Sequence, residues 1–228
     1  RILRESDDPE LLEVAARSVA RMLRENLVRD VPSIAVLQQH LADPPTDSVA
    51  HACALALVEA DARESAELLL KASVRGNDEI RLVIEPALAH WKFPPALELW
   101  AARLKEPFAT QTSVRLACEG LAALQAKDQL NDLTTLMLNP SESFGKHFAA
   151  ASAIAKLDPA HALQQALPLM KGDIANRLLA TALLTNSDPA CLTELTRMCA
   201  DSEDGIASAA LAAVLRIDLP RLQEHLPT

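Results

Sequence analysis

Aromatic side chains are scarce in this chain: they make up 3% of its residues, and tyrosine is missing altogether. A core must therefore be built from Leu, Ala, Val and Ile rather than from stacked rings. Glycine is scarce too, with five residues in 228, so a glycine-cradled phosphate loop has almost no raw material. No run approaches the ~18 uninterrupted apolar residues of a membrane span; the nearest, 205–215, is too short. Positive charge is in deficit: the formal net charge of −9 excludes the broadly basic face that a nucleic-acid binder needs, though not one local patch. No CxxC pair occurs among the four cysteines, Cys53, Cys118, Cys191 and Cys199. Cys191 and Cys199 share a helix face but sit roughly 12 Å apart along it, too far for a disulfide. Free buried thiols are the expectation, which favours a reducing compartment such as the cytoplasm. The chain starts at Arg1 in a helix-like charged region and shows no leader, so it is read as a piece of a longer protein whose export stays open.

What is present is a repeat. Asp128, Asp158, Asp188 and Asp218 recur at a step of about 30 residues. Eight positions before each stand Gly120, Ala150, Ala180 and Ala210; six before, Ala122, Ser152, Ala182 and Ala212; four before, Leu124, Ile154, Leu184 and Val214. Two small columns and one aliphatic column at helical spacing describe a helix face packed against its neighbours. Pro159 and Pro189 follow two of the aspartates. Asp as N-cap with Pro at the first helical position starts a helix, and the residue before proline resists the α conformation and so ends the previous one. Each aspartate is expected to mark the turn inside a helical hairpin, Asp128 capping without a proline and Asp218 with Pro220 one step later. Upstream, Asp61 and then Pro94-Pro95 take the turn position after helices over 46–60 and 77–93. The chain then divides into about seven hairpins over 9–43, 46–75, 77–106, 109–139, 141–171, 173–201 and 204–226, a single repeat domain covering 1–228. Pro86 falls inside a helical pattern, where it removes one hydrogen bond and curves the helix.

A first helix with small residues, an Asp-Pro turn and a second helix in about 30 residues resembles the HEAT-like repeats named after phycobilisome lyases. The resemblance covers most of the chain and is weakest before residue 46. It implies an all-α, right-handed α–α superhelix of the armadillo type, with second helices lining a concave face. Similar arrays occur in large exported bacterial proteins. Tetratricopeptide columns of Trp, Gly and Tyr are absent.

Chemistry leaves little trace. His40, His51, His90, His147, His161 and His225 include no HExxH, and none is followed by glutamate, as the metal-binding pairs of HEAT-built di-iron hydroxylases would require. His51 and Cys53 are two apart on a helix and point apart. No GxSxG, Cys/His signature or P-loop appears. The expectation is a chain with no catalytic residue, no metal and no cofactor, and hence no enzymatic activity. Trp91, Phe93, Trp100 and Phe108 cluster in sequence; either Trp100 faces the hairpin core and Trp91 closes its end, or the group is a binding hot spot. Charges on the second helices form a stripe, with Arg63, Glu67 and Lys71 on one face. The stripe is either a solvated surface with internal ion pairs or a mixed polar groove. The groove reading assigns a protein, a peptide or a neighbouring domain to Arg63, Glu67, Glu98, Asp132, Gln164, Gln165, Glu194 and Arg197. The leading expectation is a non-catalytic scaffold that binds protein on its concave face. The alternatives are a HEAT-like enzyme of DNA glycosylase or lyase type, and a structural spacer between domains. No nucleic acid and no membrane insertion are expected.

Overall fold

The computed structural model describes residues 2–25, 27 and 34–225, and their side chains except at 4 and 218–225. Every regular element among them is a helix. In chain order these are α1 (Ile2–Glu5), α2 (Pro9–Arg24), α3 (Ile34–Ala42), α4 (Asp47–Glu59), α5 (Ala66–Arg75), α6 (Asp78–His90) and α7 (Ala96–Arg103). Then follow α8 (Gln111–Ala123), α9 (Leu130–Leu138), α10 (Phe144–Leu157), α11 (Pro159–Leu169), α12 (Ile174–Leu184), α13 (Pro189–Met198) and α14 (Asp204–His225). Two compact units result, residues 1–102 and 103–228. In the first, α2 packs on α4 and α4 on α6, with α3 against α4 and α5 against α6. In the second, α8, α10, α12 and α14 lie side by side, and α9, α11 and α13 back onto α10, α12 and α14. The all-α solenoid read from the repeat is the fold observed.

The small-residue column explains the stacking. Ala150, Ala180 and Ala210 have no exposed surface, and Gly120 is buried in the same place on α8. Without bulk at that position the helix axes approach closely. Ile154 and Leu184 are fully buried one turn on, and Val214 nearly so, whereas Leu124 is half-buried. The middle column divides: Ala122 and Ala182 are buried, Ser152 is half-exposed and Ala212 exposed.

The helix starts follow the capping chemistry. Asp158 accepts from the His161 N–H at 3.0 Å, and Asp188 from those of Ala190 and Cys191 at 2.9 and 3.4 Å. Each is followed by proline at the first helical position. Thr46, Asn77, Thr110 and Asp173 cap α4, α6, α8 and α12 in the same way. Pro86 lies inside α6, and Pro168 does the same in α11.

Two expected turns are built differently. Asp128 caps nothing: it sits inside the 3-10 turn Lys127–Gln129, and α9 begins without a side-chain cap. The turn is made earlier, by Gln125 at φ 56°, where the Ala126 N–H donates to the Leu121 carbonyl at 3.0 Å and that of Gln125 to Ala122 at 3.1 Å. This is a Schellman end, in which one left-handed residue reverses the chain and satisfies two terminal carbonyls. Asp61 (φ 49°) and Lys92 (φ 53°) do the same after α4 and α6, with Ala62 donating to Leu57 and Phe93 to Leu88. At Asp218 no break occurs: α14 runs continuously to His225, so the hairpin expected over 204–226 is one helix. No proline directly follows Asp218, and the aspartate alone does not exclude the α conformation there.

Two carboxylates, one buried and one nearly so, are matched by donors. Glu85, 1% exposed, accepts from the Ser73 hydroxyl at 2.6 Å and the Trp100 indole N–H at 3.0 Å. Arg177 grips Asp201 through both carboxylate oxygens, at 2.6 and 2.9 Å. Such matching is what makes burial of these groups tolerable.

The caps generate a stability prediction. Asp158→Ala and Asp188→Ala should each lose about 1 kcal/mol, a fall of about 2–4 °C in the melting midpoint. Asp128→Ala should stay within ~0.5 kcal/mol, because no backbone N–H depends on it. Thermal unfolding followed by circular dichroism measures all three. Equal losses at the three sites would contradict the distinction between the two kinds of turn.

Candidate functional site

A concavity of about 490 Å³ lies between α8 and α10 in the second unit. Its floor is made of Cys118, Ala122, Ala149 and Ala153, small residues that leave a trough where larger ones would fill it. One wall is a pair of phenylalanines on successive turns of α10. Phe144 and Phe148 are 41% and 43% exposed, with ring centroids 6.2 Å apart and planes tilted by 46°. Gln111, Arg115 and Glu119 on α8 form the other wall. Gly145 makes room for the Gln111 side chain across the upper end: a Cβ there would stand 2.3 Å from it.

Three polar groups of this trough are already occupied. Arg115 pairs with Glu119 at 2.7 Å, and the Ser152 hydroxyl donates to its own helix at the Phe148 carbonyl. Lys156, exposed at the lower end, makes no side-chain hydrogen bond or ion pair among the described residues. The groove thus offers rings and methyl groups, and one uncompensated positive charge. That suits apolar side chains better than a polar small molecule.

The expected second-helix stripe is more heavily paired than a receptive groove requires. In the first unit Arg63 meets Asp61 at 3.2 Å rather than Glu67. Arg63 lies in the 3-10 turn Arg63–Ser65, off the regular helical register, which is why the expected face is not formed. Glu67 and Glu98 are exposed and make no such bonds among the described residues. In the second unit Asp132 meets Lys105 at 2.9 Å and Glu194 meets Arg197 at 2.9 Å, while Gln164 is exposed and Gln165 half-buried on α11.

The aromatic cluster read from sequence separates. Trp100 is fully buried on Glu85, and Trp91 is half-buried with its indole N–H on Asp61 at 2.6 Å. Arg63, and then Trp91, hold the Asp61 carboxyl below its usual range. Phe93 is half-buried, and Phe108 stands 92% exposed. Phe144 and Phe148 were the pair to notice: half of the chain's phenylalanines, one helical turn apart, on a helix otherwise rich in alanine.

No group of His, Cys, Asp and Glu that could hold a metal forms among the described residues. His40, His147 and His161 spend a ring nitrogen on the Leu3 carbonyl, the Asn139 carbonyl and the Thr134 hydroxyl. The cysteines are free, and burial pushes the thiols of Cys53 and Cys118 up to about 12. Cys191 and Cys199 are raised for the same reason. No described helix is long and apolar enough to cross a membrane.

A thiol-specific disulfide reagent at pH 8 should modify Cys199, the one partly exposed cysteine, and reach the others only after unfolding. Unfolded thiols ionise near 9.0 and these folded ones near 12, so unfolding releases protons between those values and stability should fall as pH rises through that window. Rapid modification of Cys53 or Cys118 in the native protein would contradict their burial.

Neither a protein-family model nor a curated protein matches the sequence. Among solved structures, a chain of the complex of CpcE and CpcF of phycocyanin lyase from Nostoc sp. PCC7120 is similar. The TM-score is 0.55 at 18% identity, over 93% of this chain and 84% of that one. At that identity the likeness establishes the fold. It also corrects the expectation that the chain is not an enzyme. That expectation rested on missing motifs, yet a fold of this kind occurs in a lyase complex, so missing motifs do not exclude catalysis. The resemblance to HEAT-like repeats of the phycobilisome-lyase type holds: the chain has the HEAT-like helical solenoid fold of a phycocyanin lyase chain.

Proposed function

We propose that this chain is a protein-binding HEAT-like subunit that works in complex with a second protein. The observation that carries this reading is the α8–α10 groove, with two exposed phenylalanine rings, a floor of alanines and Cys118, an internally paired Arg115–Glu119 wall and one open lysine. Its complement is an amphipathic helix that inserts aliphatic or aromatic side chains from one face and sets a carboxylate beside Lys156. The similar lyase chain was itself solved as one half of a two-protein complex, which supports a protein as the occupant.

The second-helix residues are proposed as polar contacts: Arg63, Glu67 and Glu98 in the first unit, and Asp132, Gln164, Gln165, Glu194 and Arg197 in the second. Their ion pairs are exposed enough to exchange partners at little cost. Contacts of this kind tune specificity and salt dependence more than affinity.

Selection of helical peptides displayed against the immobilised protein tests the groove. Enriched peptides should carry large apolar residues three or four apart and bind Phe148→Asp at least about tenfold more weakly. Charge reversal at Arg63, Glu98 or Arg197 should change binding by less than about fivefold. Peptides that bind the Phe148→Asp variant as well as the native protein would sink the groove assignment.

A further inference from the structure

Helix α2 carries two apolar faces: one is buried against α4, and the other, with α1 beside its N-terminal end, stays largely open among the described residues. Leu12, Ala16 and Ala20 are buried, on the helix that packs on α4. Leu11, Val14, Ala15, Ser18, Val19 and Met22 form the other face, spaced alternately three and one apart, the signature of a stripe made to meet another helix. Leu11 is 48% exposed, Val14 62% and Met22 36%. Ile2 on α1, 49% exposed, extends the patch, and a shallow hollow of about 370 Å³ runs along it. The Ser18 hydroxyl donates to the Val14 carbonyl, so the stripe's one polar group makes no demand on a partner.

We infer that this face pairs with the same face of a second copy of the chain, α2 against α2, antiparallel about a two-fold axis. The charges choose this occupant and direction. Glu10 lies beside the stripe in the acidic N-terminal half of α2, and Arg21 lies beside it in the basic C-terminal half. Antiparallel pairing sets Leu11 opposite the second copy's Met22, Val14 opposite its Val19 and Ala15 opposite its Ser18. Glu10 then comes within reach of the second copy's Arg21, and the symmetry makes that contact twice. Parallel pairing would place Glu10 on Glu10 and Arg21 on Arg21. The helix dipoles also favour the antiparallel arrangement. Arg21 now holds Glu25 of its own helix at 2.8 Å, with its side chain 79% exposed, an exchangeable surface pair.

The competing arrangement is a head-to-tail stack, in which α2 of one copy meets the exposed Leu211 and Leu215 of α14 on another. That contact does not close and would build open chains. Sedimentation velocity over a concentration series into the tens of micromolar separates the two. The native chain should form a dimer and nothing larger. Val14→Glu, at an exposed position that leaves the fold intact, should weaken dimerisation at least about tenfold. Glu10→Arg and Arg21→Glu should each weaken it about fivefold, and the two together should restore it. Leu211→Glu should leave the dimer unchanged. A native chain that stays monomeric, a double variant no better than the singles, or dissociation by Leu211→Glu would overturn the inference. None of these outcomes depends on the α8–α10 groove, which Phe148→Asp probes separately.

Discussion

Close approach of neighbouring first helices is the constraint on which the rest of the second unit depends. Ala150, Ala180 and Ala210 have no exposed surface, and the chain places nothing larger at that column. With axes drawn together, aliphatic residues of moderate size fill the space between, and Ile154, Leu183 and Leu184 are fully buried. A large ring has few places to go. The one fully buried tryptophan, Trp100, is accommodated where Glu85 accepts its N–H, so its burial depends on a carboxylate that is itself held by Ser73. The scarcity of aromatics is thus a consequence of the packing mode.

The same small residues make the groove. On the buried side of α10 an alanine lets a helix approach; on the outer side Gly145 and Ala149 leave a trough beside α8. Ser152 marks the difference. It stands in a repeat column whose alanines at 122 and 182 are buried, yet it is half-exposed and bonds its own backbone. Surface made apolar for stacking is left available for binding where no third helix covers it, as beside Phe144 and Phe148.

Legibility in the sequence followed the rigidity of the local chemistry. Asp158-Pro159 and Asp188-Pro189 could be read because proline and an N-cap together permit one conformation. The turn at Asp61 can be placed from the sequence but not its left-handed geometry, and those at Lys92 and Gln125 fall two to three residues before the expected Pro94-Pro95 and Asp128. Each uses a left-handed residue, the role that glycine usually advertises, and here three different polar or charged residues fill it. Asp128 therefore kept the rhythm of the repeat without its job, since the chain had already turned at Gln125. Arg63 left its stripe for a related reason: the residues after a Schellman end enter a 3-10 turn, which shifts the register on which the i, i+4 pairing with Glu67 was reckoned. The groove was legible in part. Phe144 and Phe148 lie one turn apart in the sequence, but whether a neighbouring helix covers them is a tertiary fact.

Fold and activity separate at this point. The stacking columns, caps and Schellman ends account for why the chain is a helical solenoid, and none of them specifies a reaction. What varies freely on such a frame is the outer surface: the rings of α10, the second stripe of α2, and the exposed Phe108. These are large apolar side chains that stand in water. Leaving them in water forgoes the burial that stabilises their equivalents in the core, at ~25 cal/mol per Å² of apolar surface. Single exposed apolar residues such as Val74, Leu138 and Ile174 are scattered over the same surface, so what singles out the rings of α10 and the stripe of α2 is that their exposed members adjoin on one helix face, and it is there that a search for function starts.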